Sequence, residues 1–188
     1  MVKRDAWSII SEVLIKDVNL EEPLEVEVGL WLRRGGLKLV VAESCTGGLV
    51  GHLLTNVAGS SDYYLGSVTA YANEAKEKLL GVRCETLLQF GAVSAETAME
   101  MARGARMALA SDFAPEKMIG LSITGIAGPG GGMPGKPVGL TWFGLSAAGF
   151  EKAWKFIWEG DRLENKAKSA QMALQLLLEY LQEIEQKE

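Results

Sequence analysis

The chain has 188 residues, of which 48% are hydrophobic and 23% charged, and a formal net charge of −5. That length suits one domain with a sizeable core, or a domain plus an appendage. The acidic balance argues against a general affinity for nucleic acid, which needs basic surface to displace counterions. No apolar stretch approaches the ~20 residues of a membrane span, so no membrane partner is expected.

Residues 5–19 place Trp7, Ile10, Val13 and Leu14 at helical spacing, and "LEEP" breaks that pattern. Pro23 suits the opening of a second helix that ends at "RRGG". The break near residues 20–24 divides the chain into a helical N-terminal extension, 1–25, and a main domain, 26–188. Residues 37–42, "LKLVVA", form a continuous apolar strand of the kind covered on both faces. "TGGLVGHLLTNVAGSS" then predicts a helix from about Thr46 to Gly59, and "GSVTAYAN" (66–73) a second strand. Asn73 is placed to cap a short helix, with Gly81 at its left-handed end.

"CETLLQFG" is another short helix, and Ser94 is placed to cap a longer one carrying Ala98, Met101, Ala105 and Leu109 on one face. "KMIGLSITG" (117–125) is a buried strand that runs into the richest glycine tract of the protein. A hairpin turns near Ala148–Gly149, its second strand alternating Phe150, Trp154, Phe156 and Trp158. Asp161 and Glu164 form a capping box for a last helix reaching about Ile184. Strands separated by helices predict an α/β fold: a layered α/β/α sandwich, mostly parallel, with a C-terminal antiparallel hairpin.

In such sheets ligands lie beyond the carboxyl ends of the strands. Three of those ends lead into polar or glycine-rich loops: "AESCTGG", "AYANEAK" and "TGIAGPGGGMPGKP". Parallel strands bring all three to one edge. In the first loop Ser44 is either a helix cap, worth ~1 kcal/mol, or a nucleophile beside helix-start N–H groups that hold an oxyanion or phosphate. On these residues alone the cap is the commoner role. Cys45 is a rival nucleophile, although a cysteine beside a buried strand is more often a small core residue.

The only histidine, His52, sits eight residues after Ser44 on the following helix, roughly 10 Å along its axis, which all but removes a Ser-His-Asp arrangement. One histidine and two cysteines (Cys45, Cys84) also leave no zinc site of the usual kind and no disulfide framework. The N-terminus lacks the apolar core of a signal peptide, so a cytoplasmic location is expected. The remaining bases are Lys76, if partial desolvation lowers its pKa, and Tyr71. A solvated helix lysine and a strand-end aromatic are the commoner readings of those two residues. The third loop has seven glycines in residues 125–139, which let backbone N–H groups approach a planar or anionic ligand.

In order from about residue 26, "AESCTGGLVGHLLTNVAGSS", "AYANEAKEKLLGV", "GAVSAETAMEMARGAR", "SITGIAGPGGG", "KPVGLTWFGL" and "GDR" closely resemble the CinA C-terminal domain family, the nicotinamide-nucleotide amidases. The resemblance implies hydrolysis of the carboxamide of nicotinamide mononucleotide to nicotinate mononucleotide and ammonia, without metal or cofactor. It puts the nucleophile at Ser44, the catalytic lysine at Lys76 and an associated tyrosine at Tyr71. Thr46, Gly47, Gly48, Asn73, Thr124, Gly125, Gly128 and Gly130 become substrate-lining positions, and Arg162 a phosphate ligand.

Where the family often has "TYSNEAK" this chain has alanines at Ala70 and Ala72, which removes two hydroxyls around Tyr71. Longer relatives carry an N-terminal pyrophosphatase-type domain. The ~25 residues before the matched region are too few for one, so that activity is expected to be absent. The expected partners are a small nucleotide substrate and further copies of the chain in a homo-oligomer. Two other readings remain open: a non-catalytic pyridine-nucleotide-binding module, and an interaction protein in competence or DNA repair.

Overall fold

The computed structural model describes residues 23–109 and 111–186. In chain order the elements are α1 (Leu24–Arg34), β1 (Lys38–Glu43), α2 (Leu49–Thr55), β2 (Tyr64–Thr69), α3 (Asn73–Leu80), α4 (Cys84–Phe90) and α5 (Ala95–Met107). They continue with β3 (Met118–Gly125), β4 (Leu140–Ala147), β5 (Phe150–Ile157) and α6 (Arg162–Glu185). The helix expected over residues 5–19, and with it most of the 1–25 extension, lies outside the described residues.

The strands form one mixed sheet in the order β2-β1-β3-β4-β5. β1 pairs in parallel with both β2 and β3, while β3–β4 and β4–β5 are antiparallel. The layered α/β architecture and the late hairpin are as the sequence predicts. The sheet itself divides evenly between parallel and antiparallel pairings, because β4 returns directly beside β3 after the glycine loop without a helical crossover.

Alternation along β1 feeds two cores. Leu39 and Val41 join α1, α2 and α6 on one face, whereas Val40 and Ala42 join α3, α4 and α5 on the other. The long helix α6 buries Ala170, Ala173, Leu174, Leu177 and Leu181 against the first face. Each of its buried leucines contributes roughly 1.5–3 kcal/mol of transfer free energy. On the second face α5 approaches closely because Gly104 and Gly120 lack side chains. A Cβ on Gly104 would meet the Leu80 carbonyl oxygen at 1.9 Å, and one on Gly120 the Ala102 carbonyl oxygen at 2.0 Å.

Three expected boundaries shift. α2 begins at Leu49, not near Thr46, because Gly47 and Gly48 take φ of 66° and 96°, outside the helical region. β2 runs over Tyr64–Thr69 instead of 66–73, since its register with β1 ends at Glu43–Thr69. Asn73 does not cap α3. Ala72 occupies the cap position without a side-chain hydrogen bond, and Asn73 is the first helical residue. Two other caps form as expected: the Ser94 side chain accepts from the Thr97 N–H, and Asp161 with Glu164 completes the capping box of α6. Ala98, Met101 and Ala105 are buried on α5, but the helix stops at Met107, before the half-buried Leu109.

Candidate active site

Because β2, β1 and β3 run in parallel, the loops after them emerge together at one edge of the sheet. Ser44 directly follows β1. Its N–H donates to the Ile123 carbonyl at 2.9 Å, which extends the β1–β3 pairing by one residue and fixes the backbone at the turn. Along the β1 alternation Ser44 shares the face of Val40 and Ala42, the side on which α3 packs.

Lys76 is the fourth residue of α3, and its side chain runs inward beneath the second loop. Its Nζ lies 3.1 Å from Ser44 Oγ, 2.9 Å from the Ala70 carbonyl oxygen and 3.1 Å from that of Tyr71. Lys76 is 1% exposed and Ser44 6%. No carboxylate among the described residues forms an ion pair with this lysine. Burial therefore lowers the Lys76 pKa from its ordinary value, an effect only partly opposed by the neighbouring Cys45.

The direction of proton transfer follows from these partners. Carbonyl oxygens only accept, so Ala70 and Tyr71 hold two N–H bonds of the amine in either charge state. When the amine is neutral, the position left for its lone pair is the one facing the Ser44 hydroxyl. The rival nucleophile fares differently, because burial pushes the Cys45 thiol up to about 12. Cys45 thus stays protonated and packs as a core residue at neutral pH.

Glu43 was not among the expected site residues. The side chain is fully buried and both of its oxygens are engaged. Oε2 accepts from Thr46 Oγ1 at 2.7 Å, the Gly48 N–H at 2.9 Å and the Val50 N–H at 3.1 Å, while Oε1 accepts from the Gly51 N–H at 2.9 Å. The chain's own carboxylate thus fills the N-terminus of α2, the place that the nucleophile reading of Ser44 left for an oxyanion or phosphate. Thr46 does not cap α2 itself but donates to the residue that does. The one hint in the sequence is a charged residue ending an apolar strand four positions before Gly47, since an acid near a helix start is favoured.

Of the N–H groups from Cys45 to Gly48, that of Gly47 donates to the Ser44 carbonyl at 3.1 Å and that of Gly48 to Glu43. Those of Cys45 and Thr46 meet no oxygen acceptor among the described residues and face only the Cys45 sulfur.

Arg162, the first residue of α6, ties the other two loops together. Its guanidinium donates to the Gly128 carbonyl at 2.7 Å and to the Tyr71 hydroxyl at 3.0 Å. Tyr71 is 61% exposed, and its hydrogen bond to Lys76 is made by the backbone carbonyl. Its phenol is thus engaged by Arg162, not by Ser44. Thr124 is buried with its hydroxyl bonded to the Ala92 carbonyl at 2.7 Å, which anchors the end of β3 to the turn before α5.

Gly125 lies behind Cys45, where a Cβ would come within 3.1 Å of Sγ. Gly128, at φ 88°, presents its carbonyl to Arg162, whereas Gly130 is exposed, with open space around its Cα. Asn73 is exposed, and its side chain has no hydrogen-bond partner among the described residues. His52 is exposed on α2 and is bonded only through its backbone. Among the described residues no group of three His, Cys, Asp or Glu is disposed to hold a metal, and no helix is long and apolar enough to cross a membrane.

Comparison with known proteins places the chain in a family. The model of the CinA C-terminal domain matches residues 21–181. A CinA-like protein of Kosmotoga olearia is 51% identical over 154 residues, which is 82% of this chain and 36% of that protein. A CinA-like protein of Salinibacter ruber is 48% identical over 152 residues, 81% of this chain and 35% of that protein. The chain thus spans little more than a third of the length of these relatives.

Among solved structures, a CinA superfamily protein from Klebsiella pneumoniae superposes with a TM-score of 0.78 at 33% identity, covering 85% of this chain and 96% of that one. A competence/damage inducible protein from Agrobacterium tumefaciens gives 0.74 at 35% identity, covering 88% and 99%. On the family model, the identities and the shared fold together, the chain belongs to the CinA C-terminal domain family.

Proposed function

We propose that the chain is a serine amidase that hydrolyses the carboxamide of nicotinamide mononucleotide, releasing nicotinate mononucleotide and ammonia. The observation that carries this reading is the buried contact of 3.1 Å between Lys76 Nζ and Ser44 Oγ. A serine needs a base to attack at neutral pH, and a desolvated amine held by two carbonyls is such a base. Lys76 takes the proton as Oγ attacks the amide carbon. The C–N bond then breaks, and the protonated amine returns its proton to the departing ammonia. Water, deprotonated by the same lysine, hydrolyses the acyl-enzyme.

The N–H groups of Cys45 and Thr46, one and two residues after the nucleophile, are the donors left for the developing oxyanion. Arg162 and Tyr71 close the mouth of the site by joining the second and third loops. The resemblance of the motifs around Ser44, Lys76 and Arg162 to the amidase family supports this choice of substrate. The test is to incubate the purified chain with nicotinamide mononucleotide and measure ammonia, with and without a chelator. Ammonia release that Ser44→Ala abolishes and chelator leaves unchanged is the expected result. A chelator-sensitive rate would overturn the mechanism.

A further inference from the structure

A nucleotide amide brings a phosphate that the site must accommodate, and of two obvious places for it one is filled and the other partly engaged by the protein itself. The N-terminus of α2 is filled by Glu43, which accepts from the N–H groups of Gly48, Val50 and Gly51. Arg162, expected to hold the phosphate, spends two of its five N–H donors on the Gly128 carbonyl and the Tyr71 hydroxyl.

One turn further along α6 lies Lys166. It is half-buried, yet it has neither a hydrogen bond nor an ion pair with any described residue. Its ammonium hangs over the first loop, 3.6 Å from the position a Cβ of Gly47 would occupy. Ser44 and Gly47 are the two ends of one four-residue turn, closed by the Gly47 N–H to Ser44 carbonyl bond of 3.1 Å. The Cα atoms of such a turn lie within ~7 Å. The Lys166 charge therefore lies within roughly 12 Å of the Ser44 Cα, a span on the scale of a mononucleotide.

A cavity of about 340 Å³ opens at this place, lined by Thr46, Gly47, Gly48, His52, Leu163 and Lys166 among others. It has no acidic lining residue. The Glu43 carboxylate, bonded to the lining residues Thr46 and Gly48, is buried with both oxygens engaged. Gly47 is exposed at φ 66°, so no side chain stands between the cavity and the turn that carries Ser44.

We infer that Lys166 is the anchor for the substrate's phosphate and sets the preference for a nucleotide over a nucleoside amide. This rests on the amidase reading above for the placement of the amide at Ser44. In that arrangement the carboxamide faces Lys76, the ribose crosses the Ser44–Gly47 turn, and the phosphate meets Lys166 in the cavity beside α2.

The experiment measures binding separately from turnover. In a Ser44→Ala background, the affinities for nicotinamide mononucleotide and for nicotinamide riboside are determined by calorimetry with Lys166 intact, as Lys166→Ala and as Lys166→Arg. The expected result is a mononucleotide preference that falls by about tenfold or more in Lys166→Ala, the scale of a lost charge-assisted hydrogen bond, and is recovered in Lys166→Arg. A preference that is absent from the start, or unchanged by Lys166→Ala, overturns the inference. A Lys166-dependent preference in a protein whose wild type releases no ammonia would instead overturn the amidase reading and leave a mononucleotide-binding site.

Discussion

Lys76 Nζ sits 3.1 Å from Ser44 Oγ in a pocket where the lysine is 1% exposed and its other two partners are carbonyl oxygens. Neither side chain has a substitute for the other. Ser44→Ala and Lys76→Ala are each expected to cut ammonia release by at least ~10³-fold, with the double variant no worse than either single one, as for residues acting as a unit. Steady-state assay of the three proteins checks this, with circular dichroism confirming the fold. A double variant that loses activity multiplicatively would separate the two roles.

The same burial predicts the pH profile. The active form of the dyad has a neutral amine, and desolvation lowers the Lys76 pKa below its ordinary value of 10.5. The rate is expected to rise with pH up to that lowered pKa and then level. Stability has the same sign. Between the lowered folded pKa and 10.5 the unfolded chain binds more protons, so the contribution of Lys76 to stability rises with pH across that window. Below the window the cost of the buried charge is complete, and above it the cost is gone. Lys76→Met should flatten both dependences, as read by kcat against pH and by urea midpoints at several pH values.

Glu43 ties the turn to α2 through four hydrogen bonds to one fully buried side chain. Glu43→Gln keeps the shape but turns an amide NH₂ toward groups that are themselves donors. A cost of ~2–4 kcal/mol is expected, as for buried donors left unpaired around a lost charge. Urea denaturation measures it, and a midpoint unchanged from wild type would mean that the N–H groups find other acceptors.

Much of this arrangement was legible in the residues, and the misses have physical causes. The apolar run ending in "ESCTGG" marks β1 and its loop, because a strand covered on both faces has no polar positions until it leaves the sheet. The scarcity of histidine pointed to lysine as the base. Local pattern alone did not disclose that Glu43 caps α2, because caps ordinarily directly precede a helix, whereas this one is the strand's own last residue. Nor did it disclose which atom of Tyr71 faces Lys76. A strand-end tyrosine offers a phenol and a carbonyl, and only the path of the chain into α3 decides between them. The start of β2 lay outside local pattern because it is set by the pairing of Tyr64 with Leu39, across a register shift that skips Leu65, a tertiary constraint.

The second face of the sheet depends on two glycines at α5. Gly104→Ala would bring a Cβ to 1.9 Å from the Leu80 carbonyl oxygen, and Gly120→Ala to 2.0 Å from that of Ala102. Backbone atoms cannot swing aside as a side chain does, so each change is expected to destabilise by ~1–3 kcal/mol or more. Leu80 ends the helix that carries Lys76, so Gly104→Ala should also lower kcat, whereas Gly120→Ala, on the β3 side of α5, should affect stability more than turnover. Thermal melts and kcat measured on both variants separate these outcomes.

Tyr71→Phe distinguishes a proton relay from a rim contact. The phenol oxygen accepts from Arg162 at 3.0 Å and has no bond to Ser44, and the carbonyl that holds Lys76 is untouched by the substitution. A relay would make Tyr71→Phe as damaging as Lys76→Ala. A rim contact predicts a smaller loss, about tenfold or less, expressed mainly in KM because the Arg162 link between the second and third loops is weakened while the dyad is intact. Arg162→Ala removes that link from the other side and should act in the same direction. If Tyr71→Phe instead lowers kcat to the level of Lys76→Ala with KM unchanged, the phenol must reach the reacting atoms in the bound state, and the lysine would not act on Ser44 alone.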